Sequence, residues 1–158
     1  MVFDEIVCTN DDERFMFEAL KEAGAAAEEN EVPVGAVIVK DGQIIARAHN
    51  LIETNGRSSA HAEMLAIESA EEKLGTKWLT DATVYVTLEP CSMCAGAMVL
   101  ARIQRLVIGA DDPKTGACGS VMNVAGSDDL NHKIEITRGV LKEECSRMLK
   151  DFFKERRQ

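Results

Sequence analysis

Four side chains in two short clusters carry the chemistry legible in this chain. His61 and Glu63 lie in His61-Ala62-Glu63, and Cys91 and Cys94 in Pro90-Cys91-Ser92-Met93-Cys94. One imidazole and two thiolates can hold a zinc ion through three protein ligands and leave a fourth position for water, the arrangement of a catalytic site. Glu63, two residues after the histidine, is then a proton carrier and not a ligand. Water on such a metal loses a proton near neutral pH. One carboxylate can accept that proton and return it to a departing group, serving both halves of a hydrolysis. A structural zinc site would need a fourth protein ligand, for which Cys118, His49 and His132 are the candidates. Structural sites usually pair two motifs such as C-x-x-C, and this chain has one.

The order H-x-E followed by P-C-x-x-C is the signature of zinc-dependent nucleobase deaminases. There the activated water attacks the amidine carbon that bears the exocyclic amine. Glu63 would hand a proton to a ring nitrogen and help protonate departing ammonia. Spacing alone does not choose among cytosine, guanine and adenine. A zinc-stabilised RNA-binding module without catalysis is the alternative from a different class.

Both clusters fall where helices are predicted to start, and helix N-termini favour thiolates over thiols. The periodicity predicts a first helix from Asp11 to about Asn30, with Met16, Ala19, Leu20, Ala23, Ala26 and Ala27 on one face. Val32 to Val39 is predicted as a strand, Asp41-Gly42 as a two-residue hairpin turn, and Gln43 to His49 as the antiparallel partner. A loop follows from Asn50 to Ser59. Ser58 or Ser59 is the predicted cap of a helix from Ala60 to about Leu74, ended by Gly75. Ala82 to Leu88 is a third strand. Pro90 suits the first position of a helix that continues from Cys91 to Ala101. Leu106 to Ala110 is a fourth strand, Asp111 to Gly126 a loop, Ile134 to Thr137 a short fifth strand, and Gly139 to Arg156 a final helix. Cys91 and Cys94, three apart, meet on one helical face. His61 and Glu63, two apart, can flank one point only in the first turn beside a metal at the helix mouth.

The alternation of strands and helices implies an α/β chain with helices on both faces of a sheet. With 158 residues, the chain is expected to form a single domain over residues 1–158. The acidic Met1 to Asp12 segment does not resemble a signal peptide, and no stretch is apolar enough to cross a bilayer, so a soluble cytoplasmic protein without membrane association is expected. Five cysteines, an odd number, fit a reducing compartment, with Cys8, Cys118 and Cys145 as idle or buried thiols. The net charge of -9 argues against non-specific nucleic-acid binding, which depends on Lys and Arg. A confined basic surface remains open, for example at Arg102, Arg105 and Lys114 or at the C-terminal Lys154 to Arg157.

Longer stretches resemble a known family. Glu31 to Val37, His61-Ala62-Glu63, Thr87 to Met98, Lys114 to Ser120, Asn131-His132 and Asp151 to Phe153 are together similar to the bacterial tRNA-specific adenosine deaminases, over about Arg14 to Arg157. The resemblance implies a three-layer α/β/α sandwich, cytidine deaminase-like, with a mixed five-stranded sheet. It implies one Zn2+ per subunit and a homodimer with active sites near the interface. The implied substrate is the tRNA anticodon stem-loop, with adenosine converted to inosine at wobble position 34 by attack at C6 of adenine. By position His61, Cys91 and Cys94 match the family's zinc ligands and Glu63 its proton shuttle. Asn50 matches an asparagine that contacts the target nucleotide, and Val34 an apolar wall of the base pocket. Asp112, Lys114, Asn131, His132, Phe153 and Arg157 lie in segments that resemble RNA-contacting parts. Without the resemblance, Asn50 reads as a turn residue and Phe152-Phe153 as core, at least in one member of the pair.

Overall fold

Asp41-Gly42 adopts left-handed backbone at both residues, φ 52° and 73°. That geometry suits a two-residue turn between twisted antiparallel strands. The computed structural model, which describes residues 3–156, accordingly pairs β1 (Gly35–Lys40) with β2 (Gln43–His49). β1 begins later than Val32. Pro33 has no N–H for a ladder, and the Val34 N–H turns back to the Val32 carbonyl at 2.8 Å. A register shift between Ile38 and Val39 makes the β1–β2 pairing irregular.

β3 (Ala82–Leu88) lies antiparallel on the other side of β1, and β4 (Arg105–Ala110) and β5 (Glu135–Arg138) continue the sheet in parallel. The order β2-β1-β3-β4-β5 is the expected mixed five-stranded sheet. β1, β3 and β4 are buried on both faces, which explains their nearly unbroken apolar sequences.

Successive strand residues point to opposite faces, and the chain builds a separate core on each. Ile38, Val84, Val86, Leu106 and Ile108 meet α3 (Ala62–Leu74) and α4 (Ser92–Leu100) through Ala66, Ile67 and Met98. Val37, Val39, Tyr85 and Val107 meet α1 (Asp11–Glu28) and α5 (Lys142–Arg156) through Met16, Leu20 and Met148. Fully burying a side chain such as Leu20 or Ile38 contributes about 1.5–3 kcal/mol. The result is the three-layer sandwich. A bidentate pair between Arg105 and Asp12 (2.9 and 2.6 Å), joined by the Tyr85 hydroxyl donating to Asp12 at 2.8 Å, fastens α1 to the sheet.

Several boundaries differ from expectation. The 50–59 loop contains a short helix, α2 (Ile52–Asn55). α3 starts at Ala62, and neither Ser58 nor Ser59 caps it: His61 holds the cap position without a side-chain cap bond. Asn50, far back in the chain, supplies the missing acceptor, its Oδ1 taking the Ala62 N–H at 2.8 Å. Pro90 precedes α4 rather than opening it, because Cys91 occupies the cap position with extended backbone. α5 starts at Lys142, since Gly139 and Leu141 both take positive φ (81° and 52°) in the turn before it.

At the end of β2, His49 bridges two acids of α1 and its exit. Its Nδ1 is 3.0 Å from Glu22 Oε1 and its Nε2 is 3.1 Å from Glu29 Oε2. Two carboxylates require both ring nitrogens to donate, which is the imidazolium. Burial alone would lower the His49 pKa, but the two acids outweigh it and raise it above 6.5. A raised folded value makes this stabilisation complete below the unfolded pKa of about 6.5 and loses it as pH rises through the folded value. The melting temperature is therefore expected to fall more steeply for the wild type than for His49→Gln between about pH 6 and pH 8.5. Parallel melting curves would show that the bridge contributes nothing.

Candidate metal centre and nucleotide cavity

β2 and β3 both run antiparallel to β1, so their C-terminal ends share one edge of the sheet. α3 and α4 start at that edge, where ligands collect in open α/β sheets. His61 at the mouth of α3 and Cys91 at the mouth of α4 have extended backbone, φ -75° and -76°, which turns their side chains across the helix ends. Cys94 follows one turn into α4. His61 Nδ1 is 3.8 Å from Cys91 Sγ and 3.5 Å from Cys94 Sγ. Their ligand atoms all lie within 4.8 Å of one another, a group that can hold a metal ion.

None of the fourth-ligand candidates joins this group. His49 is held by Glu22 and Glu29. His132 Nε2 lies 2.6 Å from the Ile103 carbonyl. The Cys118 thiol points to the Pro90 carbonyl at 3.9 Å. Cys118 and Cys145 are buried thiols, and burial pushes each up to about 12. Cys8 is only partly buried.

The electrostatics of the group favour a thiolate. A hydrogen bond from Cys94, reinforced by one from His61, lowers Cys91 to about 3. That same contact with Cys91, together with burial, drives Cys94 up. The Cys91 contact in turn raises His61. Glu63, on the first turn of α3, is 4% exposed. Burial is the main cause that raises its carboxyl to about 7.

Above these groups opens a cavity of about 190 Å³. Val34 and Leu88 give it apolar surface, Asn50 and Ile52 one wall, Asp112 and Thr115 another. His61, Glu63 and Cys91 form its depth. The structure thus brings Val34, Asn50 and Asp112 together with the candidate metal group. Asp112 shapes its own loop by accepting the Lys114 N–H (3.0 Å) and Thr115 hydroxyl (2.8 Å), while Lys114 itself is exposed.

The remaining expected contacts lie elsewhere. Asn131 is exposed, and His132 lines a separate surface hollow of about 470 Å³ with Trp78, Arg102 and Lys133. Phe152 is buried while Phe153 is 43% exposed, so one of the pair is core as expected. Arg157 lies outside the described residues.

Ile52, Leu88, Thr115 and the buried carboxylate Glu89 are cavity residues that sequence reasoning missed; it also missed Glu31, a second buried carboxylate, which lies behind the lining. The available signal was an acid directly abutting a predicted apolar strand and a nearby proline, before the strand in Glu31-Val32-Pro33 and after it in Leu88-Glu89-Pro90, since a buried acid must be paired or hydrogen-bonded. Burial would raise Glu89, but hydrogen bonds from Ser120, Asp112 and Cys118 outweigh it and hold the carboxyl below its ordinary value.

Residues 10–157 match the family model of the MafB19-like deaminases. A tRNA-specific adenosine deaminase of Bacillus subtilis is 58% identical over 146 residues, covering 92% of this chain and 91% of its own. One of Aquifex aeolicus is 48% identical over 145 residues, covering 92% and 95%. Among solved structures, one from structural studies of A-to-I editing by tRNA:A34 deaminases superposes with a TM-score of 0.83 at 44% identity, over 86% of this chain and 99% of the other. A guanine deaminase from Nitrosomonas europaea shares the fold at 24% identity and a TM-score of 0.79, over 94% and 86%.

Proposed function

The chain belongs to the family of tRNA-specific adenosine deaminases, and from that premise we propose that it hydrolyses adenosine to inosine at wobble position 34 of the tRNA anticodon. The observation that carries this is the convergence of His61, Cys91 and Cys94 beside the buried Glu63 at the foot of a cavity with an apolar wall.

Zinc fits the donor set. Bonds of about 2.3 Å to sulfur and 2.0–2.1 Å to nitrogen in tetrahedral array put N and S about 3.6 Å apart. The His61–Cys91 and His61–Cys94 separations are 3.8 and 3.5 Å. Two thiolates and an imidazole are also the ligand types zinc prefers. One Zn2+ per subunit would supply a Lewis acid that acidifies water.

The chain's own residues do the rest. Glu63, held near neutrality by burial, is available in both protonation states, the condition for carrying a proton from water to a ring nitrogen and then to departing ammonia. Asn50 has committed its Oδ1 to the Ala62 N–H, so its NH2 is the group it offers the nucleotide. Val34 packs against the base. Asp112 holds the loop that presents Lys114 toward RNA phosphate. Phe153 offers an exposed ring for stacking. Asn131, His132 and Arg157 are assigned to RNA contact from the resemblance alone, and His132 would act from its separate hollow.

The proposal extends to a homodimer of single-domain subunits spanning 1–158. Exposed Met93 and Leu100 on α4, with exposed Val121 and Met122 on the 111–134 loop, support apolar association between copies. Among the described residues no helix is long and apolar enough to cross a membrane, and we assign the protein to the cytoplasm, where its tRNA substrate is.

The test is inosine formation in an anticodon stem-loop with adenosine at the wobble position, with free adenosine, cytidine and guanine in parallel. Conversion of the RNA is expected. Turnover of a free base alone would overturn the tRNA assignment and keep the deaminase chemistry.

A further inference from the structure

We infer that Glu31 and Glu89 are positioning residues that hold the two opposite walls of the nucleotide cavity, each through a buried carboxylate offered to the backbone of a loop. This rests on the deaminase reading and assigns the pair a part in substrate recognition rather than in metal binding.

Glu31 and Glu89 are 1% and 2% exposed. A carboxylate at that depth is unfavourable unless its lone pairs are taken up, and here they are. Glu31 Oε1 accepts the Glu53 N–H at 3.1 Å, and its Oε2 accepts the Thr54 N–H at 2.6 Å and the Thr54 hydroxyl at 2.7 Å. These donors sit in α2, whose own cap residue, Leu51, gives no side-chain cap bond. Glu31 therefore stands in for the cap and fixes the wall that carries Ile52.

Glu89 does the same across the cavity. Its Oε2 accepts the N–H groups of Cys118 (3.0 Å) and Ser120 (3.1 Å). Its Oε1 accepts the Asp112 N–H (3.1 Å), the Arg138 guanidinium (2.9 Å) and the Ser120 hydroxyl. The loop lies directly on the carboxylate: a Cβ on Gly116 would stand 2.5 Å from Glu89 Cδ. The Ala117 N–H also reaches the Pro90 carbonyl at 2.9 Å. The wall that carries Asp112 and Thr115 is thus referenced to the start of α4, where Cys91 sits.

An apolar residue could fill either site, yet it would take the acceptor from these N–H groups and leave the loops free to settle elsewhere. A carboxylate sets both the direction and the distance of each loop. In Glu31→Gln and Glu89→Gln the shape is kept, but an NH2 meets N–H donors.

The experiment compares both Gln variants with wild type in metal content, melting temperature, kcat and KM on the anticodon stem-loop, and Kd for the inosine-containing product stem-loop. The expected result is unchanged metal content, KM and Kd raised about tenfold, and a smaller change in kcat. A lower melting temperature with wild-type KM and Kd would overturn the inference and leave the two acids purely structural. If the Gln variants do not fold, Thr54→Val and Ser120→Ala remove one hydroxyl donor from each clamp and are expected to raise KM about threefold; unchanged KM in both would overturn it equally. Failure of the wild type to edit RNA counts against the tRNA assignment, and the same KM comparison is then made on whichever base is turned over.

Discussion

Glu63→Ala is expected to lower inosine formation about 10²–10⁴-fold, the contribution of a positioned proton carrier, without loss of metal or fold. Glu63 is not in the group that can hold a metal, so its removal leaves His61, Cys91 and Cys94 in place. Stability is not expected to suffer either. Burial disfavours the ionised carboxylate, and alanine is a better helix former in the first turn of α3. Metal analysis, a thermal melt and the stem-loop assay on one preparation check all three. Activity within a few-fold of wild type would remove Glu63 from the proton path. Loss of metal alongside activity would make it a ligand.

Cys91→Ser is expected to lose the metal and, with it, inosine formation down to background. A serine hydroxyl does not ionise near neutral pH and is a poor match for zinc, whereas Cys91 is poised as a thiolate by Cys94 and His61. A metal held by His61, Cys91 and Cys94 would tie α3 to α4, so the variant and chelated wild type should melt lower. A ligand present at about a thousand times its Kd contributes about 4 kcal/mol to the folded state. Adding zinc back should restore the chelated wild type and not the variant. Full metal content and activity in Cys91→Ser would exclude that thiol as a ligand.

The parts of this molecule that sequence made legible are those whose physics is local. β2 and β3 were bounded correctly because Asp41-Gly42 precedes one and Glu89-Pro90 follows the other. His61 and Cys91 could be placed at helix mouths because both clusters sit at the junction of a turn and an apolar periodic run. What stayed hidden depends on residues distant in the chain. The cap of α3 comes from Asn50, not from the nearby serines. The donors to Glu89 come from Asp112, Ser120 and Arg138. His132 is a further case: nothing in Asn131-His132 tells that the ring lines a hollow shared with Trp78, separate from the candidate metal group. No periodicity reports which loop a buried carboxylate will reach.

The sheet is open, and it ends on β2 and β5. An unpaired strand presents backbone donors and acceptors that any other strand can match, whatever its sequence. Here β5 is four residues long with exposed, oppositely charged ends at Glu135 and Arg138. β2 carries exposed Gln43 and Arg47, and its pairing with β1 is interrupted by the shift at Ile38/Val39. Short, charged and irregular edges are poor templates for lateral growth. Any contact between copies would thereby be directed away from a backbone that cannot tell one protein from another and onto side chains that can.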